Sequence, residues 1–392
     1  MALWQRPVCG VKYMSEFLES KVCKITCIAP VHIGSGQQLK AFEYLYDQKN
    51  SQVYFINEGM WAQLLGKYQL LDEFIDILNA PGNASKANLW QWLQEKNIPM
   101  EEIDECIVRK AELVTEISDA KGTLNDIHTA VTTGTKGLYI PGSTIKGMLR
   151  TAIIYHLLNK DAVAKEFAAR KVQEAIDEGK LKKESKKIIS QIEARLLERK
   201  MEEHKLQKLM AGLHVGDAHI SNSISPIILQ RTDISTHGGK LKNNEKHLPL
   251  YWECIPAGTE LTCQISLDKT LMKEIGITSI IQLLSYCEEY MQDGLIRQQH
   301  AFPAKYKPLF DEAETGNCFL GGGTGFLQKS IWFSLFNDDN LAKNELKNFM
   351  DFNFRQHCHR SLDRIISPRT LKVAKTGRDM YLMGLCNIEV QK

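Results

Sequence analysis

Net charge is almost missing from this chain: 49 Lys and Arg stand against 47 Asp and Glu, a formal +2 over 392 residues. Overall charge therefore announces no polyanionic partner, and any electrostatic footprint has to be local. Long hydrophobic runs are absent too. No stretch approaches the about 18 apolar residues of a membrane span, and MALWQRPVCG lacks a signal-peptide core followed by a cleavage site. The expectation is a cytoplasmic protein with no membrane contact. The ten cysteines include no C-x-x-C pair, and the spacings Cys23/Cys27 and Cys254/Cys263 fit neither a zinc ribbon nor a small disulfide framework. They read as buried or idle thiols in a reducing compartment. Walker A, G-x-G-x-x-G and G-x-S-x-G patterns are missing, so no nucleotide cofactor and no hydrolase elbow is expected. No internal repeat is visible.

What is present begins with ordinary core material, 43% hydrophobic and 24% charged residues, enough for two average domains or one core with large insertions. The stretch Tyr139 to Leu158 organises the rest. Tyr139-Ile140 reads as a strand end, Pro141-Gly142 as a turn, and Ser143 or Thr144 as a helix N-cap. Ile145, Met148, Leu149, Ala152 and Ile153 recur at helical spacing and mark an apolar, core-facing stripe. Lys146 and Arg150 share another face, behind first-turn N–H groups that a helix cannot satisfy internally. Donors, dipole and two cations favour an anion there, a phosphate or phosphodiester above all. An ordinary capped helix with two solvated cations is the plainer alternative.

In chain order, Val22 to Ala29 alternates like a half-buried strand and opens into His32-Ile33-Gly34-Ser35-Gly36, a glycine turn able to approach a ligand closely. Glu43 to Asp47 and Gln52 to Asn57 predict a hairpin. Helical patterns follow at Trp61 to Leu78 and Leu89 to Glu95, separated by Ala80-Pro81-Gly82-Asn83, and a Thr/Gly-rich loop ends at Gly137. The highly charged segment Lys160 to Met210 predicts a helical hairpin broken at Gly179, with Lys180, Lys182, Lys183, Lys186 and Lys187 at its bend. That lysine cluster is either a solvated face or an RNA contact. Strands are expected at Leu213 to Ile220, Pro226 to Thr232 and Glu260 to Leu267, and helices at Thr278 to Met291 and Leu341 to Phe354. The last forty or so residues concentrate Arg355, Arg360, Arg364, Arg369, Lys372, Lys375 and Arg378, a further candidate footprint.

Reduced to its longest elements, the order is strand, helix, strand, strand, helix, strand, the last placed near the glycine run. This predicts an α+β fold with a modified ferredoxin-like, RNA-recognition-type βαββαβ core interrupted by large helical insertions. The expected division is 1–159 (core, with insertion 37–138), 160–210 (charged helical insertion) and 211–392 (core, with the glycine-rich loop and basic tail).

Three further groups bear on chemistry. Gly321, Gly322, Gly323 and Gly325 in LGGGTGF, with Lys329 close behind, offer a bare backbone patch for a phosphodiester chain or another subunit. His214, Asp217 and His219 lie close in sequence, as do His357 and His359. On a strand Asp217 and His219 would share a face, but no third and fourth metal ligand can be named, so no metal site is assigned.

The motifs PVHIGSG, YIPGSTIKGMLRTAI and LGGGTGF, in this order, resemble the RAMP proteins of CRISPR effector complexes. The continuation QQLKAFEYLYDQKNSQVYFINEG and the ending SPRTLKVAKTGRDMYLMGLCNIEV are similar to one branch, the type III-A (Csm) subunit at the guide RNA's 3′ end. The resemblance implies a scaffold that caps the helical backbone, holds the 3′ part of the guide RNA, touches the adjacent backbone RAMP subunit and target RNA, and assists guide maturation, with host trimming nucleases as possible partners. RAMP relatives that cut target RNA carry an aspartate in the loop after HIGSG. Here that loop reads Gln37-Gln38-Leu39-Lys40, with no acid before Glu43, so no catalytic residue is assigned. The RNA-binding set comprises His32, Gly34, Ser35, Gly36, Ser143, Thr144, Lys146, Arg150, Gly321, Gly322, Gly323, Gly325 and Lys329. Aromatic side chains on the sheet are available to stack bases. Two alternatives stay open: a guide-processing endoribonuclease with His32 as general base, and a purely structural adaptor.

Overall fold

The computed structural model describes residues 17–79, 88–115, 124, 126–134, 137–201, 206–236 and 245–391. The break expected at 80–83 and residue 135 of the Thr/Gly loop lie outside them. The strand Leu18–Cys27 buries Cys23, Ile25 and Cys27 and turns the intervening residues outward, the period-2 pattern of a one-sided sheet. It lies between two antiparallel neighbours, Glu260–Asp268 and Leu385–Val390. Glu260–Asp268 in turn pairs with Leu213–Val215 and Ala218–Ile220, the expected strand being split in two at Gly216-Asp217. The fourth long strand is therefore the chain's C-terminal one. Near the glycine run only the two-residue edge strand Cys318–Phe319 forms, and it pairs with Leu385–Val390.

Two long helices connect these strands. The central helix Gly142–Lys160 follows the first strand, and Ile280–Gln299 follows the third. They pack on each other through stacked His156 and Tyr286 rings 3.6 Å apart and through Tyr155 with Tyr290. Ile145, Leu149, Ala152 and Ile153 join Cys23, Ile25, Leu261 and Ile265 in one core cluster. Each fully buried Ile or Leu stabilises this layer by about 1.5–3 kcal/mol.

The segment 37–138 is not a loose insertion. Its strands Gly34–Leu39, Tyr44–Asp47, Gln52–Ile56, Ile107–Leu113 and Ile127–Ala130 form a nine-stranded sheet with Ile227–Ser235, Glu245–Cys254, Thr370–Thr376 and Asp379–Leu382. Parallel pairing of Ile227 with Glu112 and of Tyr251 with Ile127 stitches the two halves of the chain together. The expected 43–57 hairpin is present as Tyr44–Asp47 paired with Gln52–Ile56. Outside this sheet, helices Glu58–Lys67, Leu71–Asn79, Leu89–Glu95 and Met100–Glu105 enclose a small cluster around Leu45, Leu65, Leu93 and Ile103.

The charged segment forms the expected hairpin, Ala162–Asp177 and Leu181–Leu197, turning at Gly179 with φ 65°. Its seat is deeper than its narrow stripe suggests. Ala164, Ala168, Val172, Ile188, Ile192, Leu196 and Leu197 are buried in the principal core cluster. Alanines allow the close helix approach that a count of large apolar residues overlooks.

Candidate nucleic-acid interface

The first glycine segment is clamped by backbone before it reaches any ligand. Ile28 N–H donates to the Leu385 carbonyl (3.0 Å), Val31 exchanges hydrogen bonds with Ile255 (2.9 and 2.8 Å), and Gly384 N–H donates to Pro30 (3.0 Å). The third segment docks on the first through Gly322 N–H to the His32 carbonyl (2.7 Å). A side chain at Gly321 would sit 2.3 Å from that carbonyl, and one at Gly323 would sit 2.6 Å from the Met383 sulfur. Both have φ near +78°, so these glycines serve strand-to-loop packing as well as any ligand. Gly325 has φ 93° and lies over Lys372.

His32 is buried at 6% exposure and packs on Trp252 with centroids 4.6 Å apart and the rings tilted by 33°. Its Nδ1 lies 2.7 Å from the Glu253 carbonyl. A carbonyl only accepts, so Nδ1 carries the proton and the ring is held in one tautomer. Burial lowers its pKa, and the nearby His128 charge adds to the effect. This is a ring built into the core, where the sequence suggested a ligand contact or base. Beneath it Glu253, wholly buried, accepts from Arg109 Nε (2.8 Å), Arg109 Nη2 (2.9 Å) and Ala130 N–H (2.8 Å). That anchor has no local sequence signature.

The three glycine-bearing segments converge on one cavity of about 420 Å³. Ile33 and Gly34 supply one wall, Leu320, Gly321 and Gly322 a second, and Thr144, Gly147, Met148 and Thr151 of the central helix a third. Gln328 and Lys329 close it. Lys329 keeps an exposed side chain and makes no ion pair among the described residues, while partial desolvation of its ammonium by surrounding protein lowers its pKa. Gln328 Oε1 is buried without a donor. Gly147 was missed by the sequence reading. It sits inside a helix where glycine costs about 1 kcal/mol relative to alanine, and open space rather than a neighbour lies where its Cβ would be. A glycine unexplained by helix or packing was the available signal. Met148, assigned to the core stripe, packs partly buried against that core and also lines this cavity.

Other candidates are placed differently. The central helix is capped by neither Ser143 nor Thr144. Its Gly142 N–H donates to the Asp217 carboxylate (2.7 Å), so an acid already occupies the helix start. Gly142 is demanded sterically, because a Cβ there would lie 2.2 Å from the Val215 carbonyl oxygen. Lys146 Nζ donates to the Leu213 carbonyl (2.6 Å), and partial burial lowers its pKa. It braces the helix on its strand rather than facing a phosphate. Arg150 is exposed and reaches Glu193 at 3.7 Å. Ser35 and Gly36 are exposed, Ser35 Oγ lying 2.6 Å from Thr129 Oγ1 and Gly36 in open space at φ 87°. His219 stacks on Tyr139, and His214 lies on the neighbouring short strand. His359 and Arg369 hold the buried Asp363 (2.8 and 2.6 Å).

The basic tail is partly spent inside the fold: Arg369 pairs with Asp363, Lys372 with Asp233 and Lys375 with Glu245, whereas Arg355, Arg360, Arg364 and Arg378 are exposed and make no ion pair among the described residues. The lysines at the hairpin bend differ. Lys180 pairs with Glu178 at 2.9 Å, whereas Lys182, Lys183, Lys186 and Lys187 are exposed and show no ion pair among the described residues. The described cysteines are free thiols, all buried except Cys358, and no described helix is long and apolar enough to cross a membrane.

Fold and site together define an α+β protein in which three glycine segments from distant parts of the chain form one lysine-edged cavity. A model of the RAMP superfamily matches residues 24–328, and the chain belongs to this superfamily, as its motifs implied. It is similar to the CRISPR system Cms protein Csm5 of Mycobacterium tuberculosis H37Rv, with 24% identity over 97% of this chain and 100% of that protein. It is likewise similar to the Csm5 of Enterococcus italicus, with 23% identity over 94% and 96%. Among solved structures, a chain of a Csm–crRNA–target RNA ternary complex of a type III-A CRISPR-Cas system superposes with TM-score 0.64 at 16% identity, covering 95% of this chain and 100% of that one. The crystal structure of T. onnurineus Csm5 gives 0.57 at 15% identity, covering 93% and 99%. At these identities the likeness establishes a shared fold.

Proposed function

We propose that this protein is a non-catalytic, RNA-binding subunit of a type III-A CRISPR effector complex. It caps the backbone of the complex beside a neighbouring RAMP subunit, holds the 3′ part of the guide RNA near the target RNA, and supports guide maturation. The observation that carries this reading is the convergence of HIGSG, the central helix and LGGGTGF on one cavity edged by Lys329. Bare backbone allows close approach, and an unpaired ammonium suits a phosphate. Relatives named Csm5 match over nearly the full length, and a structural neighbour comes from an assembly with guide and target RNA. The antiparallel order 385–390, 18–27, 260–268, 213–220, with helices after the first and third strands in sequence, supports a ferredoxin-like core. The ring of His32, committed to the Glu253 carbonyl and buried, favours a scaffold over a general base.

The test is binding of guide RNA to the purified protein across a salt series. Lys329→Ala should weaken binding and lower the log–log salt slope by about 0.7, one phosphate contact on a single strand. Specific cleavage of guide precursor that disappears in His32→Asn would overturn the non-catalytic assignment.

A further inference from the structure

A second cavity of about 240 Å³ adjoins the first, and Thr151 and Lys329 border both. Its far wall belongs to the helical hairpin, through Ile189, Ile192 and Glu193, and its near wall is Arg150 and Ile154 of the central helix. On the helix Leu181–Leu197, residues 182, 186, 189 and 193 recur at 4-3-4 spacing and share one face. Since Ile189 and Glu193 line the cavity, Lys186 and Lys182 continue the same wall outward, Lys186 about 10 Å beyond Glu193 at 1.5 Å per residue.

Building on the RNA-binding reading above, we infer that this helix is one bank of a groove that carries an RNA sugar–phosphate backbone out of the glycine-lined cavity, past Lys329 and Arg150, to Lys186 and Lys182. The path starts at a cavity suited to RNA and is edged by cations without carboxylate partners, apart from Arg150. Isoleucines between them give sugar and base an apolar floor. Glu193 occupies Arg150 loosely at 3.7 Å while the groove is empty, and an entering phosphate takes its place. An acid on the path of a polyanion gives the effect of its removal a definite sign. Neutralising it should tighten binding.

The experiment uses the full-length protein with single-stranded RNAs of about 6 and about 20 nucleotides, lengths bracketing one binding site. Lys182→Ala/Lys186→Ala should leave the short RNA unaffected, weaken the long one by about tenfold, and lower its salt slope by about 1.4. Glu193→Gln should bind the long RNA several-fold more tightly. Both sets of changes are at partly or fully exposed side chains, and unchanged melting midpoints serve as the control. If Lys329→Ala weakens both RNAs while the lysine pair and Glu193→Gln leave the long one unchanged, the groove is overturned and the cavity stands. If Lys329→Ala has no effect either, both readings fall. A lysine double variant that binds long RNA normally but no longer joins a neighbouring RAMP subunit would make the hairpin a protein contact and overturn the groove.

Discussion

Two glycines five residues apart on the central helix exert opposite demands. Gly142 sits against the Val215 carbonyl, so Gly142→Ala has to push the helix off its strand and should lower stability. A Cβ at Gly147 would meet nothing within 4 Å, and Gly147→Ala should raise stability by about 0.5–1 kcal/mol in denaturant melts. The same added methyl narrows the cavity, so Gly147→Ala should bind guide RNA less well while melting later. Unchanged RNA affinity would remove Gly147 from the site. His32 adds a pH dependence. Its folded pKa lies below the unfolded 6.5, chiefly because burial disfavours the charged ring. The resulting stability is fully present above pH 6.5 and is lost as pH falls through that value towards the folded pKa, at up to about 1.4 kcal/mol per unit. His32→Asn, whose amide can still donate to the Glu253 carbonyl, should flatten this part of the profile in melts between pH 7.5 and 5.

At the scale of elements, the helical hairpin is the clearest case. Its charge and narrow stripe suggest a detachable appendage, yet Val172, Ile188, Ile192, Leu196 and Leu197 are buried in the principal core. Replacing Ala164 to Gln207 with a short Gly/Ser linker costs little in loop closure, but it uncovers that apolar surface. We expect loss of the cooperative melt. A shortened protein that melts as sharply as the full chain would show that the hairpin covers the core without stabilising it. The element is legible from Gly179 and the 3.6-residue period. Its depth is not, because alanines such as Ala164 and Ala168 read as neutral in a hydrophobic pattern and act through how close they let another helix come.

At the scale of the molecule, neither 1–159 nor 211–392 is a physical unit. Ile227–Ser235 pairs with Ile107–Leu113, Glu245–Cys254 and Thr370–Thr376, and the first strand needs Glu260–Asp268 and Leu385–Val390 on its two sides. Either piece alone would expose long unpaired strand edges. Expressed separately, the pieces should be insoluble or unfolded by circular dichroism, and limited proteolysis of the whole chain should release no stable 1–159 fragment. A folded, monomeric 1–159 would contradict the stitched sheet.

Alternation in Leu18–Cys27, the turn before Gly142, the 43–57 hairpin and the helices around Gly179 are dictated locally, by backbone geometry and by which side of a short segment is apolar. Sequence alone was sufficient for these, and the glycine motifs were enough to mark the superfamily. Which strand closes the first sheet, and that the 37–138 insertion shares a second sheet with strands of the C-terminal half, depended on pairings across hundreds of residues that no local period encodes. The site divides in the same way. Glycine and lysine at 34, 321, 322 and 329 were visible as residue types, but whether a cation is free is a property of its neighbours. Lys146 is spent on the Leu213 carbonyl and Lys372 on Asp233, while Lys329 faces a cavity. Composition counts charges, and only packing decides which of them remain available to a ligand.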